Sequence, residues 1–185
     1  MPPVYAALVH YPVLDRAGRV IAAALTNLDL HDLARLGRTY GLAGIFVVTP
    51  LSDQQEFAHR IVGHWTTGPG ADCNPDRRTA MQLVQVVGTI ADAAAAVAAR
   101  EGRRPHLTAS GARAQPGALR PAAWRDRCGN TPQLLLFGTA WGLAPEVFAA
   151  ADHAVEPIAG AAGYNHLSVR CAAAILIDRL LGPPG

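Results

Sequence analysis

The stretch QLLLFGTAWGLAP, Gln133–Pro145, decides the fold. Gln133–Phe137 is a short, almost unbroken apolar run, which reads as a strand buried on both faces. Gly138 and Gly142 then bracket a turn. Pro145 follows as the first residue of a short helix, Pro145–Ala150, where its missing N–H costs nothing. Glycines at such a turn let a backbone come close to a ligand. The spacing is GxxxG and not the GxGxxG of dinucleotide folds, and a Walker loop needs a lysine, a residue this chain lacks. A plain tight turn has the same appearance, so the loop alone does not make a site.

Outward from this core the same strand–loop–helix rhythm repeats. Val4–Val9 reads as a strand, Asp15–Gly18 as a turn and Val20–Leu25 as a short strand or extended segment. Leu28–Tyr40 is a helix closed by Gly41, and Ile45–Thr49 is a β-branched strand. Ser52 with Gln55 forms a capping box for a helix running to Trp65. Thr66–Pro75 reads as loop, Asp76–Leu83 as a short helix, Val84–Val87 as strand and Thr89–Glu101 as helix ended by Gly102. His106–Ala109 is strand, Leu119–Cys128 helix, Ala154–Pro157 a strand end and Leu167–Leu181 the last helix. This is an α/β fold with a mostly parallel sheet and helices on both faces, in a single domain over residues 1–185. Ligands of such sheets lie beyond the carboxyl ends of the strands. The loops to watch are therefore Thr108–Arg113, Gly138–Gly142 and Ile158–His166.

The last of these, EPIAGAAGYNH, again joins a strand end to a helix. Its small residues give a low backbone, and Tyr164, Asn165 and His166 bring a ring and hydrogen-bonding groups to a helix N-terminus with free N–H groups. With the Gly138 loop it suggests one composite pocket, shaped for a ligand held by backbone atoms, such as an adenosine. In the first helix, Leu33, Leu36 and Tyr40 share one face while His31, Arg35 and Arg38 share the other. Asp32 can reach Arg35 one turn on. That polar face could orient a phosphate or sugar, but the helix alone reads as an ordinary solvated, salt-bridged face.

Composition bounds the rest. The chain has 185 residues, 50% hydrophobic and 16% charged, with a formal net charge of +2, too small to identify a nucleic-acid binder. Every one of the 16 basic residues is arginine. Between Arg100 and Arg127 they leave an excess of five positive charges, a candidate RNA-facing patch or an ordinary solvated surface. Cys73, Cys128 and Cys171 lack any CxxC pairing, so neither a disulfide framework nor a zinc site is expected, and the three thiols are expected to be reduced and largely buried. No HExxH, GxSxG or acidic cluster suggests a metal or another hydrolytic class. His59 and His64 lie five apart on one helix, a poor spacing for ligands. Met1-Pro2-Pro3-Val4 carries no charged leader and no apolar run reaches a membrane span, so a cytoplasmic location without membrane contact is expected.

Six phrases, in order along almost the whole chain, carry a family resemblance: VHYPV (Val9–Val13), TNLDLHDLARLGRTYG (Thr26–Gly41), VVTPL (Val47–Leu51), NPDRR (Asn74–Arg78), LLLFGTAWGL (Leu134–Leu143) and YNHLSVRCAAAILIDRLLG (Tyr164–Gly182). With them the chain resembles the SPOUT superfamily. More narrowly, it resembles a small bacterial family of SAM-dependent RNA methyltransferases akin to the C-terminal part of tRNA guanine-N1 methyltransferases. The resemblance implies S-adenosylmethionine (SAM) as cofactor, an RNA substrate, a homodimer and a deep trefoil knot over about residues 133–182, although general topology rules favour unknotted chains. It implies that SAM is held around Ser110, Phe137, Gly138, Gly142, Ile158, Tyr164, Leu167 and Ser168. Arg35 matches the superfamily's catalytic arginine, with Arg38 supporting it and Asp29, Asp32 or His166 taking the proton. The 2′-O-methylating branch carries asparagine and serine where this chain has Ser168 and Arg170, which counts against a ribose target and leaves base methylation open. A non-catalytic SAM- or RNA-binding module of the same fold would keep the glycine loops without turnover.

Overall fold

The computed structural model describes residues 1–161 and 164–183. Six strands form one sheet: β1 (Val4–Val9), β4 (Gly44–Val48), β5 (Val84–Val87), β6 (His106–Ala109), β7 (Gln133–Gly138) and β8 (His153–Ala154). Their order is β5-β4-β1-β7-β6-β8, and every pairing is parallel. β1 and β7 are buried along nearly their whole length, which is why both read as unbroken apolar runs and not as alternating ones.

Alternate side chains of β1 point to opposite layers. Val4 and Ala6 pack with helices α1 (Asn27–Thr39), α6 (Pro121–Cys128) and α8 (Val169–Leu181). Leu8, on the same face, meets α1, α2 (Ser52–Thr66) and α4 (Pro75–Met81). Tyr5, Ala7 and Val9 face α5 (Ile90–Glu101) and α7 (Pro145–Ala150). Helices therefore cover both faces, as the sequence pattern requires.

The chain leaves β1 towards β4 on one side, and leaves β7 towards β8 on the other. Neighbouring strands that depart in opposite directions open a crevice at their carboxyl ends, the place where such sheets take ligands. A small antiparallel hairpin, β2 (Val13–Leu14) with β3 (Val20–Ile21), hangs over that crevice, and Val13 bridges to Leu143. It is shorter than the expected Val20–Leu25 segment, and its first strand carried no pattern of its own.

Several expectations are corrected. Ser52 does not cap α2. Leu51 occupies that position without a side-chain bond, while the Gln55 amide donates to the Thr49 carbonyl at 2.7 Å. The loop expected over Thr66–Pro75 contains a short helix, α3 (Pro69–Cys73), started by Gly68 with Pro69 in its first turn. The helix before Cys128 begins at Pro121, because Leu119 pairs instead with Val155. The last helix begins at Val169 and not Leu167, capped by the Ser168 hydroxyl accepting from the Cys171 N–H. The thiols are not largely buried. Cys128 is buried, and burial pushes it up to about 11, while Cys73 and Cys171 are exposed. Among the described residues no helix is long and apolar enough to cross a membrane, and no group of three His, Cys, Asp or Glu is placed to hold a metal ion.

Candidate active site

Loops following β1, β6, β7 and β8 converge on one cleft of about 950 Å³. That is room for a nucleoside-sized ligand. A smaller hollow of about 400 Å³ lies beside it at the sheet edge near Leu119 and His153, sharing Gln115, Pro145 and Phe148 with the cleft.

One wall of the cleft is the turn after β7. Thr139 donates to the Val9 carbonyl through both its N–H, at 3.1 Å, and its hydroxyl, at 3.0 Å. Trp141 N–H donates to Leu14, and Leu14 N–H donates back to Gly142. To make this turn Ala140 and Gly142 take left-handed φ values of 51° and 97°. A side chain on Gly138 would place its Cβ 2.5 Å from the Leu143 nitrogen and 2.9 Å from the Gly142 carbonyl carbon, so only glycine fits. The opposite wall is formed by Ile158 and residues 165–168. Ile158 anchors it against the core under α8, and the Asn165 amide ties it to the Ala112 carbonyl at 2.9 Å. Ser110 closes the third side, its hydroxyl and N–H both on Leu136 O.

Seven of the eight residues expected to hold the cofactor line this cleft: Ser110, Phe137, Gly138, Gly142, Ile158, Leu167 and Ser168. Tyr164 does not. It is exposed, and its ring stands edge-on to His166 at 5.3 Å. His166 lines the cleft, as does Asp29. Asp32 does not, and neither do Arg35 or Arg38, which are exposed on α1.

The polar face of α1 is organised by a residue from another helix. Arg170, at the start of α8, bonds Asp32 at 2.8 Å and Asp29 at 3.2 Å, so Asp32 pairs across helices and not with Arg35 one turn on. The hydrogen bond to Asp32 holds the Arg170 guanidinium above its ordinary range. Asp29 is 7% exposed and also accepts from the Thr26 hydroxyl at 2.7 Å. His31 does not face solvent with the arginines. It packs edge-on to Trp65 at 5.5 Å, and burial, with Arg77 beside it, pushes its pKa down.

Two features escaped the sequence reading. His10, fully buried at the end of β1, has no well-formed hydrogen bond on either ring nitrogen, although the Ala23 and Ala24 carbonyls face it. Burial lowers its pKa against the pull of Asp29. A lone polar residue ending an apolar strand was the available signal. Arg113 lines the cleft, but its charge was counted with the Arg100–Arg127 stretch. That stretch is no single patch: Arg104 pairs with Asp152, Arg103 reaches the Asn130 carbonyl, and Arg125 bonds the Arg179 and Leu180 carbonyls that end α8.

Residues 3–182 match the model of a family described as SAM-dependent RNA methyltransferase. The chain belongs to that family. Membership makes S-adenosylmethionine its cofactor. It is 47% identical over 178 residues to a tRNA (guanine-N(1)-)-methyltransferase of Oleidesulfovibrio alaskensis, a match covering 96% of this chain and 42% of that protein. The chain thus spans less than half the length of this relative. An uncharacterized protein of Aquifex aeolicus is 36% identical over 179 residues, 96% of this chain and 87% of its own. The fold is that of the SpoU methyltransferases. The crystal structure of AviRb from Streptomyces viridochromogenes in complex with AdoMet superimposes with a TM-score of 0.58 at 18% identity, over 96% of this chain and 56% of that one.

Proposed function

We propose that residues 1–185 form one catalytic unit that transfers a methyl group from SAM to a base of RNA, with transfer RNA as the first substrate to test. The carrying observation is the cleft itself, whose Gly138 turn leaves no room for a Cβ and whose walls come from four post-strand loops. Such a backbone cradle fits an adenosine, and the seven lining residues named above would hold it. The names of the longer relatives support transfer RNA, and guanine, as the substrate class.

SAM when bound supplies a methyl already activated by its sulfonium. The protein's work is then to position the acceptor, exclude water and receive a proton. Asp29 is the group we assign to the proton, because it combines a carboxylate with a place in the cleft wall. His166 is the alternative on the facing loop. Thr26 and Arg170 fix the Asp29 carboxylate. Asp32 becomes a positioning residue that holds Arg170.

Arg35 orients the target nucleotide in this reading, with Arg38 beside it. Both stand outside the cleft of their own chain, which favours a homodimer in which they serve the partner's cleft. The reading also carries the trefoil knot over about 133–182. Supporting it, the last helix packs between α1 and α6, and Ile158 is held in the core beneath it.

Tritiated SAM with unmodified tRNA transcripts and with total RNA from a deletion strain tests the reaction. Label in RNA is the expected result; SAM binding without label in any pool indicates a non-catalytic module. Arg35→Ala should lower transfer about 100-fold, the cost of misplacing a reacting group, with SAM affinity unchanged. Asp29→Asn should lower transfer about 100-fold, the scale of losing a positioned proton acceptor, with SAM affinity unchanged, and an undiminished rate would move the proton to His166.

A further inference from the structure

The three tryptophans are treated differently by the fold. Trp124 is fully buried, and its indole N–H donates to the Thr108 hydroxyl at 2.9 Å. Trp65 is half-buried, with His31 and His64 edge-on to its ring and the Arg77 guanidinium 4.4 Å from its centroid. Trp141 is 56% exposed in the cleft wall, and among the described residues no ring or cation packs on it.

Its backbone is the opposite of unattended. Trp141 N–H is bonded to Leu14 O at 3.0 Å, and the residues on either side adopt left-handed conformations. For Ala140 that conformation is strained, since an L side chain disfavours it by about 1–2 kcal/mol. Leu143 bridges Val13, and Ala144 donates to the Pro12 carbonyl. A strained and fully fastened turn thus holds a large aromatic ring in solvent at the mouth of a cleft. Burial of that ring is what the turn forgoes. In the same cleft Arg113 is exposed and, among the described residues, enters no ion pair.

We propose that Trp141 is the stacking platform for an unpaired nucleobase of the RNA substrate, with Arg113 meeting an adjoining phosphate. This rests on the RNA methyl-transfer reading above and specifies its acceptor side. Bases presented for chemistry are unstacked from their neighbours and need a replacement π-face. An indole already fixed in position loses little freedom on receiving one.

The test uses the full chain with Trp141→Ala and Trp141→Phe. In assays with unmodified tRNA transcripts and tritiated SAM, Trp141→Ala should raise the KM for RNA about 5- to 150-fold, the range for losing one stacked base. Trp141→Phe should restore most of it, and both variants should keep the wild-type SAM affinity and melting temperature. An unchanged RNA KM overturns the proposal. So does a loss of SAM affinity, which would make Trp141 a wall for the cofactor. So does a change of oligomeric state on gel filtration, which would mean that a second copy covers the ring. Fluorescence separates this from the reaction itself: transcripts should quench wild-type emission and not that of Trp141→Phe. Quenching without methylation keeps the platform and removes the methyl-transfer reading. Methylation with an unchanged KM in Trp141→Ala does the reverse.

Discussion

Residues 139–144 are fastened to residues 9–14 by backbone bonds from Thr139, Trp141, Gly142 and Ala144, whereas the facing loop is held by side chains. Among the described residues, no backbone group of 158–161 or 164–167 bonds to another segment, and the Asn165 amide makes the polar tie. Ile158 and the Ser168 cap secure its two ends. A wall made of backbone bonds keeps one shape whatever fills the cleft. A wall made of one apolar anchor and one amide can adjust to its contents.

Glycine replacements test this difference most severely. In Gly138→Ala the new Cβ meets the backbone of the fastened turn, so a loss of about 1–3 kcal/mol is expected from overpacking, with SAM affinity falling in parallel. A Cβ on Gly160 would come equally close to a backbone oxygen, 2.4 Å from that of Tyr164. That carbonyl belongs to an exposed residue in the adjustable loop, so Gly160→Ala should stay within about 0.5 kcal/mol of wild type. Equal losses on thermal melting would break the comparison.

Acid should act next, through the strand under the fastened wall. Burial holds His10 below the ordinary histidine range, and it does the same to His31 and His153. The unfolded chain then binds protons at a higher pH than the folded one. Stability is fully present above the unfolded value near 6.5 and falls as pH drops below it. The melting temperature should decline from pH 7 to 5, and His10→Gln should make that decline shallower. An unchanged slope would remove His10 from the account.

Ala140→Gly relieves a left-handed φ and should raise stability by up to about 1 kcal/mol, read by denaturant unfolding. If the turn were loosely held, no gain would follow. The smallest effect is expected at Asn165→Ala, which removes one net hydrogen bond and should weaken SAM about threefold with the melting temperature unchanged.

The sheet was largely legible because burial on both faces leaves plain apolar runs. Val4–Val9 and Val84–Val87 match their strands residue for residue, and Gln133–Phe137 falls one short. The convergence of the glycine loops was legible from strand polarity, whereas the residues expected to hold the cofactor followed from the family resemblance, and seven of those eight line the cleft. What stayed hidden was tertiary choice. Spacing permits Asp32 to pair with Arg35, yet Arg170 arrives from a helix 138 positions away and takes it. Gln55 suits a capping box but finds the Thr49 carbonyl instead. Gly68 and Pro69 look like loop residues and are also good helix starters, which is how α3 was missed. In the proposed dimer Arg35 serves the partner's cleft, and no pattern within one sequence encodes that choice.

The place of β1 in the sheet has a consequence for how the protein is made. Val4 pairs with Gln133, so one edge of β1 stays without its native neighbour until residues 133–138 have been synthesised. Its other edge finds β4 far sooner, from residue 44. A growing chain therefore carries an apolar strand edge, rich in unpaired N–H and C=O groups, from the time β1 is made until β7 follows it. Such edges recruit other chains, and pairings this distant in sequence form slowly. Crowded expression at high temperature should cost soluble yield through this edge before any weakness of the finished fold is felt, and slower translation should recover it.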